Sequence, residues 1–251
     1  MRFQALICAL LFTSIVANAQ VDDIKRRSSE NSRSKSEGSS SGSSGGSLSG
    51  CNPMFCIDMF QLIGTAQEER LKKTEIVKRV VSLEMFFQGA FQPSTYYLFN
   101  PRIRGNWGLF STDFRVNYLI EEKTDSVTHD LTTLDWQILQ LNLITAQNFT
   151  LRVGGGNLYE RFGSKQSFFE WTAGMSFFSN SQTFVVNMEY REAKDFITGA
   201  VPRREINLSF EKQVFNAGGL RGYASIGGVY QRYYESVSVW GLQGGLVMRV
   251  F

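Results

Sequence analysis

Phe110-Ser111-Thr112-Asp113-Phe114-Arg115-Val116-Asn117-Tyr118-Leu119-Ile120 alternates in character along its length. Phe110, Thr112, Phe114, Val116, Tyr118 and Ile120 make one largely apolar set, and Ser111, Asp113, Arg115 and Asn117 make a polar one. Successive side chains of a β-strand point to opposite faces, so this stretch reads as a strand with one apolar and one charged face. It outlasts the about five or six residues of an ordinary globular strand. It suits the roughly 9–11 residues that a tilted strand needs to cross a bilayer.

The same pattern recurs on either side. Val81, Leu83, Met85 and Phe87 alternate with Ser82, Glu84 and Gln88. Phe169, Trp171, Ala173, Met175 and Phe177 stand against Glu170, Thr172, Gly174 and Ser176. Phe184, Val186, Met188 and Tyr190 oppose Asn187, Glu189 and Arg191, and Ile206, Leu208 and Phe210 oppose Asn207, Ser209 and Glu211. This periodicity predicts strands over 77–92, 96–106, 109–121, 131–144, 149–160, 167–178, 183–192, 204–214, 220–233 and 237–251. The connections 145–148, 179–182 and 215–219 are short, whereas 122–130, 161–166 and 193–203 are longer and polar. Short turns at one end and longer loops at the other are the outer-membrane pattern. Two places fit badly. Pro101 interrupts the second strand, which calls for a bulge or a shorter strand. The fourth strand changes phase near Leu139, from Leu134-Trp136-Ile138 to Leu139-Leu141-Leu143, which calls for a bulge.

The fold class is therefore all-β: an antiparallel, up-and-down transmembrane β-barrel over 77–251, with about ten strands and roughly eight to twelve as the range. A soluble lipocalin-like barrel or a sandwich would show the same alternation with its apolar face inside. Alternation alone does not say which face points inward. Strand length, even count, loop asymmetry and an export signal favour the membrane.

That signal is at the N-terminus. Arg2 precedes an apolar run from Ala5 to Val16, and Ala17-Asn18-Ala19 then gives a small-x-small cleavage site. Residues 1–19 read as a secretory signal peptide. Residues 20–50 read as a disordered Ser/Gly-rich linker, because a composition of this kind buries too little apolar surface to offset its ordering entropy. Residues 51–76 read as a short periplasmic segment. Within it, 54–73 fits an amphipathic helix, with an extra strand as the competing reading. Cys51 and Cys56 are the cysteines left after the leader, and whether they pair as a disulfide stays open.

Composition excludes some classes. The formal net charge of +3 comes without a clustered basic patch, so there is no nucleic-acid footprint. One histidine and so few cysteines argue against a Cys/His zinc site, and nothing calls for a metal or another cofactor.

The polar faces of the strands would line a narrow lumen. From the first half of the chain they supply Glu84, Arg102, Arg104, Asp113, Arg115 and Asp135. From the second half they supply Arg152, Glu170, Glu189, Arg191, Glu205 and Glu211. Both signs are well represented, so the first expectation is a salt-bridged core that closes the barrel. A small gated pore is an alternative. Catalytic candidates are few: His129, the sole histidine, and its neighbour Asp130, which would serve a lipid-modifying or proteolytic barrel enzyme. The preferred reading is a non-enzymatic structural or accessory barrel in a bacterial outer membrane. Its N-terminal tether would lie in the periplasm and bind a periplasmic or outer-membrane protein.

The chain ends Gly244-Gly245-Leu246-Val247-Met248-Arg249-Val250-Phe251. A terminal aromatic on a last strand resembles the signal read by the outer-membrane barrel insertion machinery. Together with the Ala19-Gln20 junction, the Arg-x-Phe ending resembles small outer-membrane barrels of the Bacteroidota. That resemblance implies an architecture, insertion into outer-membrane lipid and a role for Phe251 as the insertion signal. It names no functional family.

Overall fold

The computed structural model describes residues 20–38, 81–92, 96–122, 128–146, 148–163 and 165–250. Residues 1–19, expected to be a leader, residues 39–50 of the expected linker, the segment 51–76 with its expected helix, Cys51 and Cys56, and Phe251 lie outside the described residues. One helix, α1 (Gln20–Gly38), precedes the strands. The strands are β1 (Val81–Gln92), β2 (Tyr96–Phe99), β3 (Arg102–Trp107), β4 (Phe110–Glu122), β5 (Thr128–Thr145) and β6 (Phe149–Glu160). They continue as β7 (Ser167–Phe178), β8 (Phe184–Lys194), β9 (Arg203–Ala217), β10 (Leu220–Tyr233) and β11 (Val237–Val250).

From β4 to β11 each strand pairs antiparallel with the next, and β11 returns to β1, with Leu83 opposite Val250 and Phe91 opposite Leu242. The ring is closed. β2 and β3 both lie between β1 and β4, so they are two halves of one stave and the barrel has ten. The break between them falls at Asn100-Pro101, where proline has no N–H to give the ladder. Pairing survives around it: Asn100 N–H donates to Gln88 O at 3.0 Å, and Pro101 O accepts from Val116 N–H at 3.0 Å. The expected irregularity in the fourth predicted strand is a register shift between Trp136 and Leu139. It lets Ile138 and Leu139 both face outward and returns the following residues to phase.

The connections sort into two ends. Trp107–Phe110, Thr145–Phe149, Phe178–Phe184 and Ala217–Leu220 turn at one end, where β1 also begins and β11 finishes. Apart from the break between β2 and β3 inside their stave, the remaining links, the longest from Lys194 to Arg203, lie at the other. These are called the short-turn end and the long-loop end below.

Burial settles the sidedness that alternation left open. Asp113, Asp135, Glu170 and Glu211 are fully buried, while Phe87 is 46% and Trp107 is 55% exposed. Charges point in and large apolar side chains point out, the reverse of a soluble barrel. This is a surface for hydrocarbon, and closure of the ring leaves no strand edge unpaired inside it. Aromatic residues gather towards both rims, with Trp107, Phe177 and Phe184 at the short-turn end and Tyr97, Phe169 and Trp240 nearer the other. Among the described residues no helix is long and apolar enough to cross a membrane; the strands cross it.

The structure corrects one expectation directly. Residues 20–38, assigned to a linker, form α1. Val21, Ile24, Ser28 and Asn31 fall on one buried face at helical spacing. Asp22 and Asp23 lie in the first turn and Lys35 in the last, as the helix dipole favours. Arg26 bridges Asp23 at 2.8 Å and Glu30 at 3.4 Å on the exposed side.

The β5 bulge brings backbone close to β6. A Cβ on Gly156 would sit 2.0 Å from Trp136 O and 2.5 Å from Gln137 Cα, so only glycine fits. Gly156→Ala is expected to cost about 1–3 kcal/mol, read as a lower urea midpoint for the barrel folded in lipid vesicles. Gly244→Ala, whose nearest neighbour would be Ser225 O at 3.9 Å, should leave the midpoint unchanged.

Candidate functional site: the charged lumen

All twelve lumen residues named from the sequence face the interior. Arg203 and Arg249 join them. Arg203 lies two residues before Glu205 and so shares its face, a parity signal present in the sequence. Arg249 likewise occupies the polar side of the last strand.

These charges form a continuous network. Arg115 on β4 reaches Glu205 on β9 through two hydrogen bonds of 2.5 and 2.9 Å. Its Nε also donates to Asp135 at 2.8 Å. Arg203 holds Asp135 and Glu170, each at 2.7 Å. Arg191 contacts Glu189 at 2.6 Å, Asp113 at 3.2 Å and Glu170 at 3.3 Å. Arg102 contacts Asp113 and reaches Glu189 at 2.7 Å, and Arg104 contacts Asp113, Glu189 and Glu84. Arg249 bridges Glu84 at 3.2 Å and Glu211 at 2.6 Å. In a ring of ten, β4 stands opposite β9 and the β2–β3 stave stands opposite β8. The Arg115–Glu205 and Arg102–Glu189 pairs therefore tie opposite walls together across the middle of the barrel.

Six arginines contact seven carboxylates in this layer, and Arg152, buried nearby but out of ion-pair distance of the described carboxylates, brings the lumen arginines named here to seven. Taking an ion out of water costs several kcal/mol even after relaxation, so an unmatched set would not stay buried. Amides fill the remaining gaps. Gln137 Nε2 donates to Glu170 at 2.7 Å, and Gln231 Nε2 donates to Glu205 at 2.8 Å.

The layer beneath the long-loop end differs. There Tyr96, Leu98, Leu119, Leu131, Val229 and Val239 face inward and receive Val21 and Ile24 of α1. Glu121 accepts from Val21 N–H at 2.9 Å, placing a carboxylate at the helix N-terminus. Ser28 Oγ donates to Glu160 at 2.7 Å, Asn31 Nδ2 donates to Asp195 at 3.0 Å, and Thr198 Oγ1 donates to Asn31 at 2.6 Å. His129 Nδ1 hydrogen-bonds Asp22 at 2.7 Å. Asp130 takes the opposite, exposed face of β5, so the two catalytic candidates do not converge. His129 is one of the contacts that seat the helix. Among the described residues no cluster of His, Cys, Asp and Glu could hold a metal ion.

No known family model matches this chain, and no curated protein matches it. Among solved structures, a Pseudomonas aeruginosa OccK2 (OpdF) crystal structure matches with TM-score 0.28 and 13% identity over 61% of this chain and 55% of that one. The same protein in complex with glucuronate gives 0.26 and 14%, over 61% and 54%. The outer membrane protein opdK from Pseudomonas aeruginosa gives 0.28 and 8%, over 64% and 58%. This chain therefore spans a little over half the length of those chains. A likeness this distant says nothing about cargo. The barrel itself is read from the closed strand pairing.

Two expected outcomes follow from this geometry. Breaking one partner of a buried pair strands the other, so Glu205→Leu should cost about 3–5 kcal/mol in urea unfolding. The double change Arg115→Leu with Glu205→Leu should cost less than the single one, because Asp135 keeps Arg203. The second outcome concerns α1. Burial opposes charge on Asp195, but hydrogen bonds from Asn31, Ile197 N–H and Thr198, with Lys35 nearby, outweigh it and hold the carboxyl below its ordinary value. A lowered folded pKa stabilises docking fully above the unfolded value of about 3.9 and loses that contribution as the pH falls through the folded one. Val21 and Ile24 supply only about 1.5–3 kcal/mol each, so the polar contacts matter to whether the helix stays. Cleavage of α1 by an acid-active protease should therefore rise below about pH 4, and Asp195→Asn should show raised cleavage already at neutral pH.

Proposed function

We propose that the protein is a closed, non-conducting barrel of the bacterial outer membrane, serving as a structural or accessory subunit with α1 seated in one mouth. The observation that carries this reading is the network of six arginines and seven carboxylates, with pairs joining opposite walls. A conducting lumen needs a continuous water path, and here the middle of the ring is spanned by direct contacts. An enzyme built on His129 finds less support, since its ring is engaged with Asp22.

Outer-membrane barrels keep short turns on the periplasmic side and longer loops outside. On that rule α1 belongs at the outer face, in place of the periplasmic position expected from the sequence. Residues 39–80 stand between α1 and β1 in the sequence. The described strands close the ring among themselves, and residues 39–80 are the part we assign to binding a protein partner. Mild-detergent co-purification from outer membranes reads that assignment, and a solitary barrel counts against it.

Planar-bilayer recording tests the closed state. The native barrel should give no channel steps. A variant lacking 20–38 should also give none, because the charged layer lies below the helix. Steps from the native protein would sink the closed reading, and steps from the deletion alone would make α1 the seal.

A further inference from the structure

At the short-turn end the lumen widens into a recess of about 550 Å³, open water at its mouth included. Its lining includes Ser82, Asn106, Asn142, Thr150, Arg152 and Arg249. Three of these carry donors that the charged layer leaves unused. Arg152 is 8% exposed, its Nη2 donates to Ser176 Oγ at 3.0 Å, and no carboxylate among the described residues lies within ion-pair distance of it. Thr150 Oγ1 is buried without a hydrogen-bond partner, and so is Arg249 Nη1. Thr150 and Arg152 are two apart on β6 and share a face. Arg249 lies on β11, the stave opposite β6 in the ring. The recess is thus flanked by guanidinium groups from facing walls, with a hydroxyl beside one of them.

We propose that this recess binds a small soluble oxyanion, such as inorganic phosphate or a short carboxylate, between Arg152 and Arg249 with Thr150 donating to it. A buried guanidinium N–H and a buried hydroxyl without partners cost free energy, and an oxyanion supplies several acceptors for them and for Arg152. Glu84 also lines the recess, but Arg104 Nη1 and Arg249 Nε already engage its two oxygens, each at 3.2 Å. The pocket is walled off from lipid by the barrel itself, so the ligand comes from the aqueous side rather than from a phospholipid headgroup.

The test is calorimetric titration of inorganic phosphate into the full mature chain, folded in a phosphate-free non-ionic detergent. Saturable binding is expected, weakened about tenfold or more in Arg152→Gln and reduced in Thr150→Val. Heat-modifiable migration on gels checks that each variant is folded. If Arg152→Gln does not fold, Thr150→Val decides: reduced binding supports the site and unchanged binding overturns it. No saturable binding to the native barrel, or equal binding by both folded variants, overturns the proposal. So does binding that appears only when an anionic phospholipid replaces the free ion.

Discussion

Arg115 and Glu205 meet across the barrel because neither has anywhere else to go. A backbone crossing hydrocarbon must satisfy every N–H and C=O within itself, and a closed antiparallel ring does so. Its outer face must then be apolar, and the alternation of each strand sends the polar residues inward. Ten staves enclose little space, so the inward charges touch one another rather than water. The network from Glu84 to Arg249 is the consequence, and the near-equality of signs is its condition.

The interior is layered along its axis. An apolar collar at the long-loop end offers Leu98, Leu119, Leu131 and Val229 to α1. The ion-paired middle holds the walls together. A polar recess at the short-turn end retains donors that the middle does not use. A lumen of charge alone would give Val21 and Ile24 no place to bury, so the collar determines where the helix sits. The buried Glu121 and Glu160 then meet its backbone and its Ser28.

Much of this was legible in the chain. Period-two alternation located all ten staves to within a few residues, because a lipid-facing surface enforces strict alternation over ten or so positions. Pro101 and the phase change at Leu139 marked the irregularities that the pairing contains. α1 was not legible. Its buried face has only two apolar residues, Val21 and Ile24, and its other inward residues are Ser28 and Asn31. Those polar side chains are favourable only opposite Glu160, Gln166 and Asp195, partners far away in sequence. The Val21, Ile24, Ser28, Asn31 spacing was the available hint. Arg203 begins β9 one residue before the strand expected from 204, and its parity with Glu205 is the sequence signal that places it on the inward face.

The central claim is that charged faces point inward and apolar faces meet lipid. Spin labels placed one at a time on β7, from Phe168 to Ser176, test it most directly, with the barrel folded in lipid vesicles and relaxed by oxygen or by a water-soluble nickel complex. High oxygen accessibility is expected at Phe169, Trp171, Ala173 and Met175, and low accessibility to both reagents at Phe168, Thr172 and Ser176. Nickel contact at the first set, or the loss of a two-residue period, would contradict the account.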